Sequence, residues 1–444
     1  MRILRSCITC TFFVLLLWVS SVSVAAQQAP KLDNADLDHV HVMLRQAYKD
    51  VKKNYYDPQF HDVDLDATYR EYDTKLNSAH TMGESFRIIA AFLSHLHDSH
   101  VFFIPPSPVN RSVIGFHMEM VGDNCFITRV RPKTDANTKL HVGDRVLALD
   151  GYNVGRQDFS DLQYFLNVLA PASTEQLNVS DTSGVQRQEL VHASYHSGKA
   201  VLDITGTGSS DNDLWNLIRQ GEDDAYNSRD RIAAIGDVIV WKIPRFYIDP
   251  THTNSVFSTA KNHKTLILDL RGNPGGSIET LKEVLSHLFD REVKLGDRIS
   301  RKESKPEIAK GSRDAFTGKL IVLIDSQSAS AAEILARVVQ IEHRGTVIGD
   351  RSEGAVMEAL HYPESIGTDT RIFYGFSITS ANLIMTDGKS LEGTGVTPDE
   401  IMLLTASDLT ESRDSVLSHA IELGGASISP SDAGKLFPFN WPDI

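Results

Sequence analysis

Cysteine is nearly absent: three residues in 444, of which Cys7 and Cys10 lie in the first ten positions and only Cys125 lies further along. A chain with one cysteine beyond its leader cannot close an internal disulfide, so its stability has to come from buried apolar surface. Positive charge is also in deficit. Forty-four Lys and Arg stand against 58 Asp and Glu, for a formal net charge of −14. A surface of that sign repels phosphate backbones and anionic lipid heads, which disfavours nucleic-acid partners. After the N-terminal leader no apolar run is long enough to cross a ~30 Å hydrocarbon core. The chain also lacks GxSxG, a phosphate-loop Gly-Lys-Ser/Thr and any low-complexity tract or internal repeat.

What is present begins with that leader. Arg2 and Arg5 precede the apolar run Thr11–Val19, and small residues follow as far as Val24-Ala25-Ala26. This order reads as a secretory signal peptide over residues 1–26, and the expected destination is exported, periplasmic or secreted. Removing it, with its two arginines and no acid, would take the formal charge from −14 to −16. A retained membrane anchor is the alternative reading, and the strongly apolar stretch is short for one.

Five segments are expected beyond the leader. Leu37, Val40, Leu44, Ala47 and Val51 recur at helical spacing, and Thr81 with Glu84 forms a capping box ahead of Phe86, Ile89, Leu93 and Leu96. Residues 31–106 thus read as a helical domain. His100 sits at its end, where the pattern turns extended in Val101–Ile104. Residues 112–195 consist of short β-like runs around a helical stretch, Phe159–Leu169, and residues 203–235 read as a polar linker with a helix. From residue 237 to 405, compact apolar runs alternate with helical patterns: Val238–Trp241, Thr265–Leu270, Leu320–Ile324 and Thr346–Ile348. That is an α/β core of crossover units. Residues 406–444 form a C-terminal segment.

Two stretches of the core carry candidate chemistry. Ser330, in Ser328-Ala329-Ser330-Ala331-Ala332-Glu333, stands where a strand runs through a small-residue turn into a helix. With Glu333 it is also an ordinary capping box, and on local pattern alone that reading is the stronger. The functional reading is an exposed nucleophile at a helix N-terminus, which favours negative charge beside it. Arg271-Gly272-Asn273-Pro274-Gly275-Gly276 follows another strand directly. Its paired glycines suit either a tight turn or amide donors for an oxyanion.

LILDLRGNPGG, then SASAAE about fifty residues later, then LEGTGVTPD, together resemble the tail-specific or C-terminal processing serine protease family over roughly residues 110–405. The resemblance implies a multidomain α/β protein: a crotonase/ClpP-like α/β spiral protease core with a PDZ-like β-rich domain. The GDRVLALDG run and the Ile114-Gly115-Phe116 loop are the residues that resemble the PDZ domain and its carboxylate-binding turn. It also implies Ser330 as nucleophile, with the amides of Gly275, Gly276 and Ala331 holding the oxyanion. No cofactor or metal is implied. The expected partners are protein or peptide substrates, bound through their C-termini at Ile114, Gly115 and Phe116.

The best-known branch of the family uses a lysine base in a Gly-Lys-Gly turn, and here Ala355 fills that place. The tricorn-core branch uses histidine and glutamate instead. Asp98-Ser99-His100 is similar to its histidine turn, and Glu392 precedes Gly-Thr-Gly-Val-Thr-Pro-Asp as its glutamate does. This implies His100 as base, Glu392 as its orienting acid and Ser99 in the hydrogen-bond chain. Asp98 is the rival orienting acid. His95, His97 and His100 could also form a zinc cluster or have no role. Two further readings stand beside the protease: a catalytically inactive ligand- or peptide-binding protein on the same fold, and an acyl-CoA enzyme on the same core.

Overall fold

The computed structural model describes residues 32–106, 110–197, 227–367 and 371–441. The leader, 1–26, lies outside them, as does the expected linker up to residue 226. No described helix is long and apolar enough to cross a membrane.

Three helices open the described residues: Asn34–Asn54, Leu65–Leu76 and Met82–Ser94. The first and third begin where polar caps place them, at Asp33 and Thr81, whose side chains accept the amides of Asp36 and Glu84. They bury Val40, Met43, Leu44, Ala47, Ile89, Phe92 and Leu93 against one another. This apolar core is not closed on itself. It takes in Tyr374, Phe376 and Ile378 from the long strand Ile372–Met385, and Phe102–Ile104 pairs antiparallel with that strand. The helical region therefore shares an apolar core with the long strand of the second half of the chain, because three short helices leave one apolar face uncovered.

The middle of the chain is an antiparallel sheet ordered Phe116–Val121, Asn124–Val130, Arg145–Leu149, Thr174–Ser180 and Gln186–His192, with the helix Phe159–Tyr164 packed on it. Alternation sets its faces: Phe116, Met118 and Met120 point inward, and His117 points out.

The second half of the chain is built on a six-stranded sheet, in the order Arg231–Ile235, Val238–Lys242, Thr265–Asp269, Lys319–Ile324, Thr346–Gly349 and Glu400–Ile401. The first pair is antiparallel and the rest are parallel. Thr265–Asp269 is buried at every position, as a strand covered on both faces must be. The end of the expected linker is thus corrected: residues 231–235 form an edge strand, because their antiparallel register with 238–242 covers that flank. The C-terminal segment packs on this sheet. Val416, Leu417, Ala420 and Ile421 of helix Ser415–Leu423 bury against Val238, Val240, Ile267 and Leu323. Arg271 then joins Asp269, which is 1% exposed, to Asp414 at the cap of that helix.

Parallel strands all point the same way, so the loops following Asp269, Ile324 and Gly349 gather along one edge of the sheet. Open α/β sheets place their sites in that crevice.

Candidate active site

The loop after Ile324 delivers Ser330 at φ +52° and ψ −117°. A side-chain-bearing residue there is strained by about 1–3 kcal/mol, and such strain persists only where the surroundings enforce it. The enforcement is visible. The Ser330 amide is held by the Ala355 carbonyl at 2.8 Å and by Glu333 Oε2 at 3.0 Å. Glu333 is fully buried and receives three further donors: Ala355 N–H at 2.9 Å, Gly354 N–H at 2.8 Å and Ser352 Oγ at 2.5 Å. Burial pushes its carboxyl up to about 7, against the pull of those four donors. The capping-box geometry expected for Ser330 is therefore real in its Glu333 half, and the same carboxylate ties the serine to the 352–355 loop. Ala355, where the lysine branch would carry its base, contributes only its backbone.

The glycine turn approaches from the neighbouring strand. A Cβ added to Gly275 would lie 2.6 Å from Ser330 Cβ, so only glycine lets the turn come this close. Asn273, fully buried, fastens the turn: its Nδ2 donates to Ile243 O, and its carbonyl accepts the Ala329 amide. Asn273 Oδ1 takes the Gly275 N–H at 2.8 Å. Of the three expected oxyanion donors, Gly275 is therefore already engaged, and its role is to admit the close approach. The parallel bridge at Gly276 uses the N–H and carbonyl of Phe246 and not the Gly276 N–H. The Ala331 N–H opens its helix, where no intrahelical acceptor exists.

His100 and Glu392 come from opposite ends of the sequence and meet around Ser99. Glu392 Oε1 accepts the Ser99 amide and Oε2 accepts the Val356 amide, both at 2.8 Å. Ser99 Oγ lies 2.8 Å from His100 Nδ1. The path from His100 to Ser330 thus runs through Ser99, Glu392, Val356 and the adjacent Ala355 carbonyl. The ring's hydrogen bond is to Ser99 and not to Ser330. Burial holds the His100 imidazole below its ordinary value, while the charges of Glu392 and Asp98 oppose that shift.

Other candidates disperse. His95 Nε2 pairs with Tyr72 OH at 2.9 Å, and His97 occupies an exposed turn at φ +49°. Among the described residues no three His, Cys, Asp or Glu side chains are grouped to hold a metal ion. Gly115, at φ +88°, accepts the Arg131 amide and starts the strand whose far end docks on the core. There Met120 O accepts Ser326 Oγ at 2.6 Å, and the Gly122 amide donates to Asp350 Oδ2 at 2.8 Å. A cavity of about 370 Å³ lies under this contact, lined by Glu119, Lys242, Asp269, Arg271 and Asp325. It contains none of Ser330, His100 and Glu392. Sequence pattern offers Asp98 as a rival orienting acid and Glu333 as a helix cap, and it gives no sign of the donors that Glu333 and Asn273 collect.

Residues 238–402 match Peptidase family S41, and residues 37–94 match the Tricorn protease C1 domain. The carboxyl-terminal-processing protease of Synechocystis is 27% identical over 168 residues, 37% of this chain and 38% of that protein. The tail-specific protease of Haemophilus influenzae is 26% identical over 280 residues, 58% of this chain and 36% of its own. The chain spans about a third of the length of the curated relatives it matches. Mature CPAF superposes with TM-score 0.62 at 16% identity, covering 84% of this chain and 94% of CPAF. The photosystem II D1 C-terminal processing protease gives 0.52 at 17% identity, covering 90% and 99%. Both likenesses show a common multidomain α/β fold.

Proposed function

We propose that this chain, a member of peptidase family S41, is an exported serine-type endopeptidase that cleaves peptide bonds through an acyl-enzyme on Ser330. The observation that carries the reading is the strained Ser330, held at positive φ by Glu333 and Ala355, with Gly275 against its Cβ. A helix cap needs none of this.

In this mechanism Ser330 Oγ attacks the scissile carbonyl while His100 takes its proton. A neutral imidazole is required, and burial keeps it neutral at pH 7. With the Nδ1 proton directed to Ser99 Oγ, Nε2 is the basic nitrogen. Glu392 acts one step removed, fixing the Ser99 backbone and adding a negative charge that favours the imidazolium. The developing oxyanion is met by the Gly276 and Ala331 amides at the N-terminus of helix Ala331–Ile341. His100 then returns the proton to the leaving amine, and water releases the acyl group by the same steps in reverse.

The middle sheet is read as PDZ-like, with Ile114, Gly115 and Phe116 receiving a substrate C-terminus and the edge of strand Phe116–Val121 adding an extended peptide. The core is read as a crotonase/ClpP-like spiral. Export rests on the leader at 1–26.

Ser330→Ala tests the central claim. It should lower kcat by about 10⁴–10⁶ with an unchanged melting curve, and abolish labelling by a fluorophosphonate. Undiminished peptide cleavage by this variant, or labelling at another residue, would refute it.

A further inference from the structure

The mechanism above leaves one buried carboxylate beside the histidine unused. Asp98 is 8% exposed and precedes His100 by two residues. Its Oδ1 accepts the His100 backbone N–H at 2.9 Å and Thr379 Oγ1 at 2.7 Å, and its Oδ2 accepts Tyr55 OH at 2.9 Å. We propose that Asp98 is a positioning residue for His100, which locks the catalytic turn to the helical region and to the long strand Ile372–Met385 and faces the ring with a second negative charge. This inference rests on the assignment of His100 as the base of Ser330.

Three features separate this role from that of an ordinary turn cap. The first is that the partners come from distant parts of the chain. Tyr55 ends the helix Asn34–Asn54 and is fully buried, and Thr379, also fully buried, lies in a strand some 280 residues further on. The same two regions are joined again where the Tyr56 amide donates to the Thr379 carbonyl, and Arg301 holds the Tyr55 carbonyl from the other side. Asp98 therefore sits where the helical region meets the core, at the one turn that carries the base. This gives the helical region a reason to be part of the enzyme.

The second is that all three partners donate. Burial pushes the Tyr55 hydroxyl far above its ordinary range, so it stays protonated at any working pH. Three donors satisfy a carboxylate, and the His100 N–H among them can only donate. Burial and the Glu392 charge push the Asp98 carboxyl upward, while its hydrogen bonds hold it down.

The third is that no described salt bridge involves Asp98. The groups around it are Tyr55, Tyr56, Glu392 and His100, with His61 at 3.5 Å behind the Tyr55 hydroxyl. His61 is occupied elsewhere, through Nδ1 with Leu96 O and Nε2 with Tyr56 OH. The imidazolium formed on His100 during catalysis is then the cation that Asp98 and Glu392 share.

The experiment compares kcat and kcat/KM against pH for the full chain and for the Asp98→Asn, Ser330→Ala and His100→Ala variants, with melting curves for each. Asparagine keeps the size and acceptor of Asp98 and removes its charge. Losing an opposite charge at this range lowers the histidine pKa by about one unit, so the acid limb of kcat/KM should move down by about one pH unit. A weaker base lowers kcat by up to about tenfold per pKa unit on the plateau, with KM unchanged. An Asp98→Asn variant with wild-type kcat and an unmoved acid limb would overturn the inference while Ser330→Ala and His100→Ala remain inactive. If those two variants keep full activity, the underlying catalytic reading fails instead. Should Asp98→Asn not fold, Tyr55→Phe and Thr379→Val each remove one donor. Each should reduce kcat several-fold at constant KM, and wild-type kcat in both would overturn the inference.

Discussion

Glu392 is bonded to the Ser99 backbone, not to the His100 ring: its Oε1 accepts the Ser99 amide at 2.8 Å, and Ser99 Oγ makes the contact to His100 Nδ1. The carboxylate thus works through an intermediate serine. Ser99→Ala removes the Oγ that contacts the ring and leaves the charge in place. We expect kcat to fall by about 10–100-fold, with the acid limb of the pH profile unmoved. Glu392→Gln is harsher. Both glutamate oxygens accept N–H groups, so an amide must turn its own NH2 toward Ser99 or Val356. A loss of roughly 10²–10⁴ in kcat is expected. Because the Glu392 charge raises the His100 pKa, its removal should also shift the acid limb to lower pH. Steady-state kinetics on a peptide from pH 4 to 9 separates the two variants. Equal losses with identical profiles would contradict the relay.

Glu333 tests whether Ser330 is a built nucleophile or a capped helix end. Each of its oxygens accepts two donors: Ser330 and Ala355 amides on Oε2, Ser352 Oγ and the Gly354 amide on Oε1. Glutamine must set an NH2 against one pair, and an orphaned buried donor costs about 1–3 kcal/mol. Glu333→Gln should therefore lower the melting temperature and slow fluorophosphonate labelling of Ser330 by more than tenfold (roughly one 1.4 kcal/mol step). A cap lost without consequence for Ser330 would give the destabilisation with normal labelling kinetics. That result would detach Glu333 from the site.

How far the sequence carried this reading depended on how local each feature was. Ser330, the glycine turn and the strand runs were legible because each is specified by contiguous residues: apolar positions for burial, small residues for close approach. His100 and Glu392 were legible only through the family resemblance, since 292 positions separate them and no periodicity joins them. Asp98 could be read no further than as a rival orienting acid and Glu333 as a helix cap. Their roles come from donors on other elements, Tyr55 and Thr379 in one case and the 352–355 loop in the other. The helical region looked autonomous because its periodicity is complete. Its packing on Tyr374, Phe376 and Ile378 is a property of a distant strand. The engaged Gly275 amide was likewise invisible, because Asn273 Oδ1 reaches it only once the turn has closed.

Glu175 gives a stability prediction with a definite sign. It lies in strand Thr174–Ser180 at 6% exposure, and burial, reinforced by the charge of Asp150, pushes its carboxyl up to about 7. In the unfolded chain the same group titrates near 4.5. Between those values the native state keeps a proton that the unfolded state releases. Stability from this group is therefore full below pH 4.5 and is lost as pH rises through about 7. The shift corresponds to about 3 kcal/mol. Glu175→Gln replaces the acid with a neutral group of the same shape and should be close to neutral at pH 4.5 and stabilising at pH 8. Urea denaturation of wild type and variant at both pH values measures the difference directly. A variant whose advantage does not grow between pH 4.5 and 8 would show that Glu175 is not held protonated in the folded sheet.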